Sequence, residues 1–273
     1  MAETPNPAVG YLEYLVPALF EPLAREVFAI SPPRRGERVL DVACGTGIVA
    51  RKAAELVGRD GEVVGVDVNP RMIEVAKELP PPAGAPTKFM QGDGTALDLS
   101  DDSFDVVYCQ QGLQFFPDRS AGVQEMRRVL VDGGRAVIAA WLGIEHQPLF
   151  AALTDAEERH LAAAGVPASR DELEAPFSLG DSGEIRTLFE QAGFGDVHVT
   201  ERAFNAEFAT ADRFIERMEF AYAAVVPAFV EDAEAFNGFV ENVARDTRDV
   251  VERYTSGDRV VAPMKTNIVV ATC

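Results

Sequence analysis

Cysteine is scarce: Cys44, Cys109 and Cys273 are the only three in 273 residues. Three thiols so far apart build neither a disulfide framework nor a zinc site, and they fit a reducing, cytoplasmic setting. Basic residues are also short, with 25 Lys and Arg against 44 Asp and Glu and a formal net charge of −19. A surface of that sign repels phosphate backbones, which argues against a nucleic-acid partner. Long apolar runs are missing too. The stretch from Val9 to Ile30 is broken by Glu13, Pro17, Glu21, Pro22 and Arg25, so no membrane span is expected. The opening Met1-Ala2-Glu3-Thr4-Pro5 has no positive region ahead of an apolar core and does not read as a signal peptide. There is no internal repeat and no low-complexity tract.

What is present is ordinary globular material, 47% hydrophobic and 25% charged, enough for a full-sized core. Short apolar runs at Arg38–Ala43, Glu62–Asp67, Thr87–Gln91, Phe104–Cys109 and Arg135–Trp141 read as strands. Helical spacing fills Ile48–Leu56, Pro70–Leu79 and Ser120–Leu130. Apolar strands alternating with helices predict a doubly wound α/β domain with a mostly parallel sheet. Further on, Gly183–Ala192 reads as a helix, and Val197–Phe208 and Arg259–Thr272 as strands that could pair antiparallel at the sheet edge. The chain thus reads as one domain, with a core of about residues 31–142, 181–208 and 258–273. Residues 1–30, 143–180 and 209–257 form a helical cap or lid.

The first strand runs into Val39-Leu-Asp-Val-Ala-Cys-Gly-Thr-Gly47. Gly45 suits a tight turn and Gly47 a close backbone approach to a ligand at the head of the next helix. Asp67 ends the second strand, where a carboxylate can accept both hydroxyls of a ribose. Gly45-Thr-Gly47-Ile-Val-Ala50 also matches the dinucleotide fingerprint, which leaves a nicotinamide oxidoreductase open. Asp41, inside the strand, favours a ligand with an ammonium or sulfonium group over an anionic pyrophosphate. Asp93, in Gln91-Gly-Asp-Gly94, suits an adenine amino group, and Cys109-Gln-Gln-Gly112 brings polar groups to a fourth strand end. A non-catalytic cofactor-binding protein would show the same residues.

Together with Gly65-Val-Asp-Val-Asn-Pro-Arg-Met72 and Glu125-Met-Arg-Arg-Val-Leu-Val-Asp-Gly-Gly-Arg135, these segments resemble the class I S-adenosylmethionine-dependent methyltransferases. The likeness is greatest to the small-molecule branch of quinone and natural-product enzymes. It covers about residues 37–142. It implies a seven-stranded sheet with the last strand antiparallel. It implies S-adenosylmethionine as methyl donor, S-adenosylhomocysteine as product, a small, apolar or aromatic acceptor and no metal. It also implies roles: Ala43, Gly45, Gly47 and Gln110 around the methionine portion, and Asp41 on its amino group, directly or through water. Asp67 falls on the ribose, Val68 and Met72 on the adenine faces, and Asp93 on the adenine amino group with Gly94 beside it. Relatives often carry histidine in the loop after the fourth strand, where this chain has Gln114 and Phe115. The candidate general base is instead His146, after the fifth strand. Tyr11 and Tyr14 are candidate lid residues, and the aromatics of Phe214–Phe239, Phe220 and Tyr222 among them, are either cap core or acceptor contacts.

Overall fold

Val and Ile crowd the stretches that become strands, and a glycine or polar turn follows most of them. The computed structural model describes residues 6–163, 169–222 and 233–273. Its strands are β1 (Arg38–Val42), β2 (Glu62–Asp67), β3 (Thr87–Gln91), β4 (Phe104–Gln110), β5 (Leu130–Trp141), β6 (Asp196–Ala209), β7 (Thr255–Ser256) and β8 (Arg259–Thr272). Its α-helices are α1 (Pro7–Gly10), α2 (Glu21–Ile30), α3 (Ile48–Val57), α4 (Pro70–Glu78), α5 (Arg119–Val129), α6 (Pro148–Ala163), α7 (Arg170–Leu173), α8 (Ser182–Gln191), α9 (Phe214–Tyr222) and α10 (Ala233–Tyr254).

The sheet runs β3-β2-β1-β4-β5-β8-β6, with β7 paired to β8 off that path. β1 pairs in parallel with β2 and β4, β2 with β3 and β4 with β5. β8 runs antiparallel to β5, with Val137 opposite Val270. The sheet is therefore mostly parallel with one reversed strand, and helices connect its strands. One expectation needs correction: there are eight strands rather than seven, because Gly257, at φ +63°, turns Ser256 straight back onto Arg259. β8 and β6 are neighbours at the end of the sheet, as expected, with β8 between β5 and β6 and β6 outermost.

The strand order reverses between β1 and β4, which is where open α/β sheets bind ligands. Leu40, Val42, Val64, Val66, Val107 and Ile138 pack with Val123, Met126 and Phe189 into a buried core. Each such side chain contributes roughly 1.5–3 kcal/mol. Caps define the helix starts. Asn69 accepts from Arg71 N–H ahead of Pro70 at the head of α4, and Asp118 accepts from Ala121 N–H at the head of α5.

The residues separate into two units. The sheet unit is Leu23–Leu142, Leu179–Arg202 and Lys265–Cys273; the helical unit is Met1–Pro22, Gly143–Ser178 and Ala203–Met264. In the sheet unit, Arg135 meets Glu37 at 2.8 Å and Ser31 Oγ at 3.1 Å, while Tyr108 donates to the Ser31 carbonyl at 2.8 Å.

In the helical unit, Tyr11–Phe20 winds as a π-helix around Pro17. The wider i→i+5 winding leaves room for a residue that has no N–H to give. Tyr11 stacks on Phe20 at 4.9 Å, and the buried Tyr14 donates to the Ala209 carbonyl at 3.3 Å beneath the Arg217 guanidinium. Phe214 and Phe239 are buried and Phe220 is half-buried; the Tyr222 side chain lies outside the described residues. Among the described residues no helix is long and apolar enough to cross a membrane.

Candidate functional site

β1 ends in a turn with three left-handed residues, Ala43 (φ +57°), Gly45 (φ +54°) and Gly47 (φ +89°). Alanine in that conformation costs about 1 kcal/mol or more, so the surroundings impose it. Cys44 N–H donates to the Val66 carbonyl at 3.0 Å, and Gly47 N–H to the Cys44 carbonyl at 2.8 Å. A Cβ on Gly47 would stand 2.6 Å from the Phe89 ring, and one on Gly65 would stand 2.7 Å from it. Gly47 is thus packed closely against Phe89. Arg51 lies over that ring at 5.3 Å, with its guanidinium bonded to the carbonyls of Ala76 and Pro80.

Three carboxylates sit at or near this turn, and each takes backbone N–H groups. Asp41 is 1% exposed and accepts from Ala50 N–H, in the first turn of α3, at 2.9 Å. Burial pushes its pKa up to about 8; the Ala50 bond opposes that shift and the charge of Asp67 adds to it. Asp67, half-buried at the end of β2, accepts from Gly45 N–H at 2.7 Å on Oδ2 and from Asn69 N–H at 2.8 Å on Oδ1. Burial raises its pKa against the pull of those two donors. Asp93 is exposed, and its Oδ1 accepts from both the N–H and the hydroxyl of Thr95, which holds its carboxyl below the usual range. Val68 is 67% exposed beside Asp67, whereas Met72 is buried on α4. Gly94 is buried, and a Cβ there would collide with Phe116.

β4 ends at Gln110. The next residue, Gln111, is also left-handed, at φ +57°. Its Oε1 accepts from Gln114 Nε2 at 2.7 Å and from Trp141 N–H at 3.2 Å, but its buried Nε2 has no partner among the described residues. A Cβ on Gly112 would collide with the Ala43 side chain, so the two left-handed turns abut. The Thr46 hydroxyl is buried in the turn after β1, without a partner among the described residues. Sequence reading gave Thr46 no role and took Gln111 only as one of the polar groups that close the fourth strand; the signal available was a polar side chain inside an otherwise apolar or glycine-rich strand end. Cys44 and Cys109 are buried, and burial pushes both thiols up, that of Cys109 to about 12. Neither is an activated nucleophile. His146 belongs to the helical unit, in the turn Ile144–His146, with Nε2 3.5 Å from Glu145 Oε1.

Residues 39–134 match the family described as a methyltransferase domain. A demethylmenaquinone methyltransferase of Staphylococcus aureus (strain JH9) is 34% identical over 173 residues, which are 61% of this chain and 71% of the relative. The chain belongs to the S-adenosylmethionine-dependent methyltransferases. It falls in their class I, small-molecule branch and takes its methyl group from S-adenosylmethionine. Solved structures share the fold of this methyltransferase. The YcgJ protein of Bacillus subtilis superposes with a TM-score of 0.52 at 19% identity, over 92% of this chain and 97% of that one. Phosphoethanolamine N-methyltransferase 2 of Haemonchus contortus, in complex with S-adenosyl-L-methionine, gives 0.53 at 20% identity, over 92% of this chain and 52% of that one. The residues of the methyltransferase fit that donor. Asp67 keeps carboxylate lone pairs beside two N–H bonds, Val68 offers an exposed apolar face, and Thr46 and Gln111 hold unspent polar atoms. Family membership also sets aside the nicotinamide reading of the glycine pattern.

Proposed function

We propose that the methyltransferase acts on a small acceptor with an apolar or aromatic body, in a cytoplasmic setting, with the donor held by the turns after β1, β2, β3 and β4. The observation that carries the reading is Asp67. Its carboxylate is fixed by Gly45 N–H and Asn69 N–H, so it faces a diol without reorganisation. Asp67 takes the ribose hydroxyls. Val68 and Met72 flank the adenine, and Asp93 accepts from its amino group where Gly94 leaves room. Ala43, Gly45, Gly47 and Gln110 border the methionine portion. Asp41, which also accepts from Ala50 N–H at the head of α3, holds the amino group directly or through water.

When bound, the donor supplies a methyl group on sulfonium, already joined to a good leaving group. The chain therefore needs mainly to orient and to exclude water, and orientation alone lowers a barrier by roughly 7–11 kcal/mol. The relative's name speaks of demethylmenaquinone, and we take the acceptor class from it: a ring whose carbon or oxygen attacks in line. The apolar composition of residues 143–180 and 209–257 supports assigning acceptor choice to the helical unit. His146 takes the acceptor's proton in this reading. The net charge of −19 supports a free small molecule over a nucleic acid as the acceptor.

Calorimetric titration tests the donor site. S-adenosylmethionine and S-adenosylhomocysteine bind the wild type, Asp67→Ala loses both, and NADH binds neither. Equal affinity in Asp67→Ala overturns the assignment. For the base, His146→Ala keeps donor affinity and loses turnover; full turnover removes His146 from the mechanism.

A further inference from the structure

The turn after β4 holds an amide whose two ends are unequally satisfied. The Gln111 backbone continues the pairing with β5, its N–H donating to the Ala139 carbonyl at 2.8 Å. The side chain reaches two residues further along the same strand. There Oε1 accepts from Trp141 N–H at 3.2 Å, and it accepts from Gln114 Nε2 at 2.7 Å as well. A backbone N–H can only donate, so the atom that faces Trp141 is the oxygen and the carboxamide cannot be turned round. The NH2 end is thereby fixed too. Gln111 is 8% exposed, and its Nε2 has no partner among the described residues. A buried donor left in that state costs stability, and an acceptor atom on a ligand would recover it.

The neighbours hold this amide still. Gly112 abuts Ala43, and the Phe116 ring packs against Gly94 and Gly122. The Gln114 carbonyl accepts from Arg119 at 3.3 Å, and Arg119 also meets Glu184 at 2.9 Å. Two further features point to a ligand at this edge of the sheet. Thr46, 2% exposed in the turn that Gly112 abuts, has a hydroxyl without a partner among the described residues. Phe115, one residue beyond Gln114, leaves 46% of its surface exposed and offers an aromatic face.

The parallel strands end along one edge of the sheet in the order β3, β2, β1, β4, β5. The donor groups proposed above follow it: Asp93 for the adenine, Asp67 for the ribose, then Asp41 and Gln110 for the methionine end, which carries the methyl group. Gln111, which links the ends of β4 and β5, is next in that order. We propose that Gln111 Nε2 is the specificity-determining donor to an oxygen of the methyl acceptor, which makes the acceptor a ring with a hydroxyl or carbonyl oxygen rather than an amine. The assignment rests on the donor site of the proposed function and narrows its acceptor class. An ammonium has only N–H groups to present to another N–H, and the lone pair of an aromatic amine is drawn into its ring, whereas a ring oxygen keeps a lone pair to accept with. The same bond favours the ionised oxygen over the neutral hydroxyl.

The test is calorimetric titration of the full-length protein, saturated with S-adenosylhomocysteine, with α-naphthol, α-naphthylamine and α-methylnaphthalene, probes of one shape that differ in a single group. The naphthol binds about tenfold more tightly than the other two. Gln111→Met keeps the length of the side chain and loses the amide; it abolishes that preference and leaves the affinity for S-adenosylhomocysteine nearly unchanged. Gln111→Glu still accepts from Trp141 N–H and Gln114 but has no N–H to give, and it also loses the preference, which a merely structural role would preserve. Absorbance titration adds a second readout: bound naphthol ionises at lower pH than free naphthol in the wild type, and Gln111→Glu removes that shift. Gln124→Met, an exposed glutamine of α5, changes none of these. Circular dichroism verifies that each variant folds, and the wild-type order of the three probes stands even if a variant does not. Four results overturn the proposal and leave the donor site standing: no binding of the naphthol, equal affinity for all three probes, a preference retained in Gln111→Glu, or a loss of S-adenosylhomocysteine affinity in Gln111→Met as large as that of the naphthol. A wild type that does not bind S-adenosylhomocysteine removes the donor site, and the role of Gln111 with it.

Discussion

The sheet unit and the helical unit both bury acids, but they satisfy them differently. In the sheet unit every carboxylate of the turn region finds backbone donors: Ala50 N–H for Asp41, Gly45 and Asn69 N–H for Asp67, and Thr95 N–H for Asp93. Strand ends and first helical turns leave N–H groups unspent, so a parallel sheet manufactures anion-holding positions wherever a strand passes into a helix. In the helical unit, Glu157 lies mid-helix and Glu219 is separated by a full turn from the start of α9. There the backbone N–H groups are consumed by the helix itself, and among the described residues the two acids interact with each other. A buried acid in a helix interior must find a side chain or a ligand, whereas one at a strand end inherits its donors from the topology.

The largest break in this contrast comes from removing a carboxylate that backbone donors depend on. Asp67→Ala lowers donor affinity by about two orders of magnitude or more and leaves Gly45 N–H and Asn69 N–H unpaired, at about 1–3 kcal/mol of stability. Titration and chemical unfolding read the two effects separately.

Next in size is Gly47→Ala. Its φ of +89° and the Phe89 ring 2.6 Å from the added Cβ together cost about 2–3 kcal/mol. Adding Phe89→Leu restores only the steric share, because the backbone strain remains. Full recovery in the double variant would show that the left-handed conformation matters less than the contact.

The pH dependence sharpens the comparison. Asp41, at about 8, and Glu157, at about 7, both have folded-state pKa values above their ordinary ones. Between the ordinary carboxylate range and those values the unfolded chain has released protons that the folded chain retains. Stability therefore falls as pH rises through that window and levels off above it. Glu157→Gln combined with Glu219→Gln flattens the fall between pH 5 and 7, and Asp41→Asn flattens it between pH 4 and 8. Each gain is on the order of 1 kcal/mol or more at pH 8. Denaturant midpoints measured at pH 5, 6.5 and 8 give the slopes; identical slopes in wild type and variants would contradict the buried-acid account. The smallest effect is that of Asp93→Asn, an exposed substitution within about 0.5 kcal/mol of wild-type stability that weakens donor binding only a few-fold.

Much of the sheet was legible because its signals are local. Glu62–Asp67, Thr87–Gln91 and Arg259–Thr272 have the same bounds in the structure as in the sequence reading, each a β-branched or apolar run closed by a polar residue or a turn. β7 was not legible, since Thr255-Ser256 has no alternation of its own and is a strand only because Gly257 folds it onto β8. The start of β5 at Leu130 was hidden by Val131-Asp-Gly-Gly134, a sequence that reads as a turn. Asp41, Gly45 and Gly47 share one turn, and the spacing displayed that. The reason for Gly47 did not show, because Phe89 reaches it through the pairing of β2 with β3. Thr46 and Gln111 depend likewise on the register between β1 and β4. Glu157 and Glu219 were invisible for a different cause: glutamate is commonplace on helices, and which one faces inward is decided by packing.

The interior place of β8 has a consequence for the order of events in folding. β6 is synthesised well before β8, yet its neighbour in the sheet is β8, which must first align antiparallel on β5. Until then β6 is a fourteen-residue strand with open edges, and strands in that state pair readily with other chains. His198, Glu201, Arg202 and Glu207, charged or polar and exposed along its length, interrupt the apolar character that would invite such pairing while the last strand of the sheet is awaited.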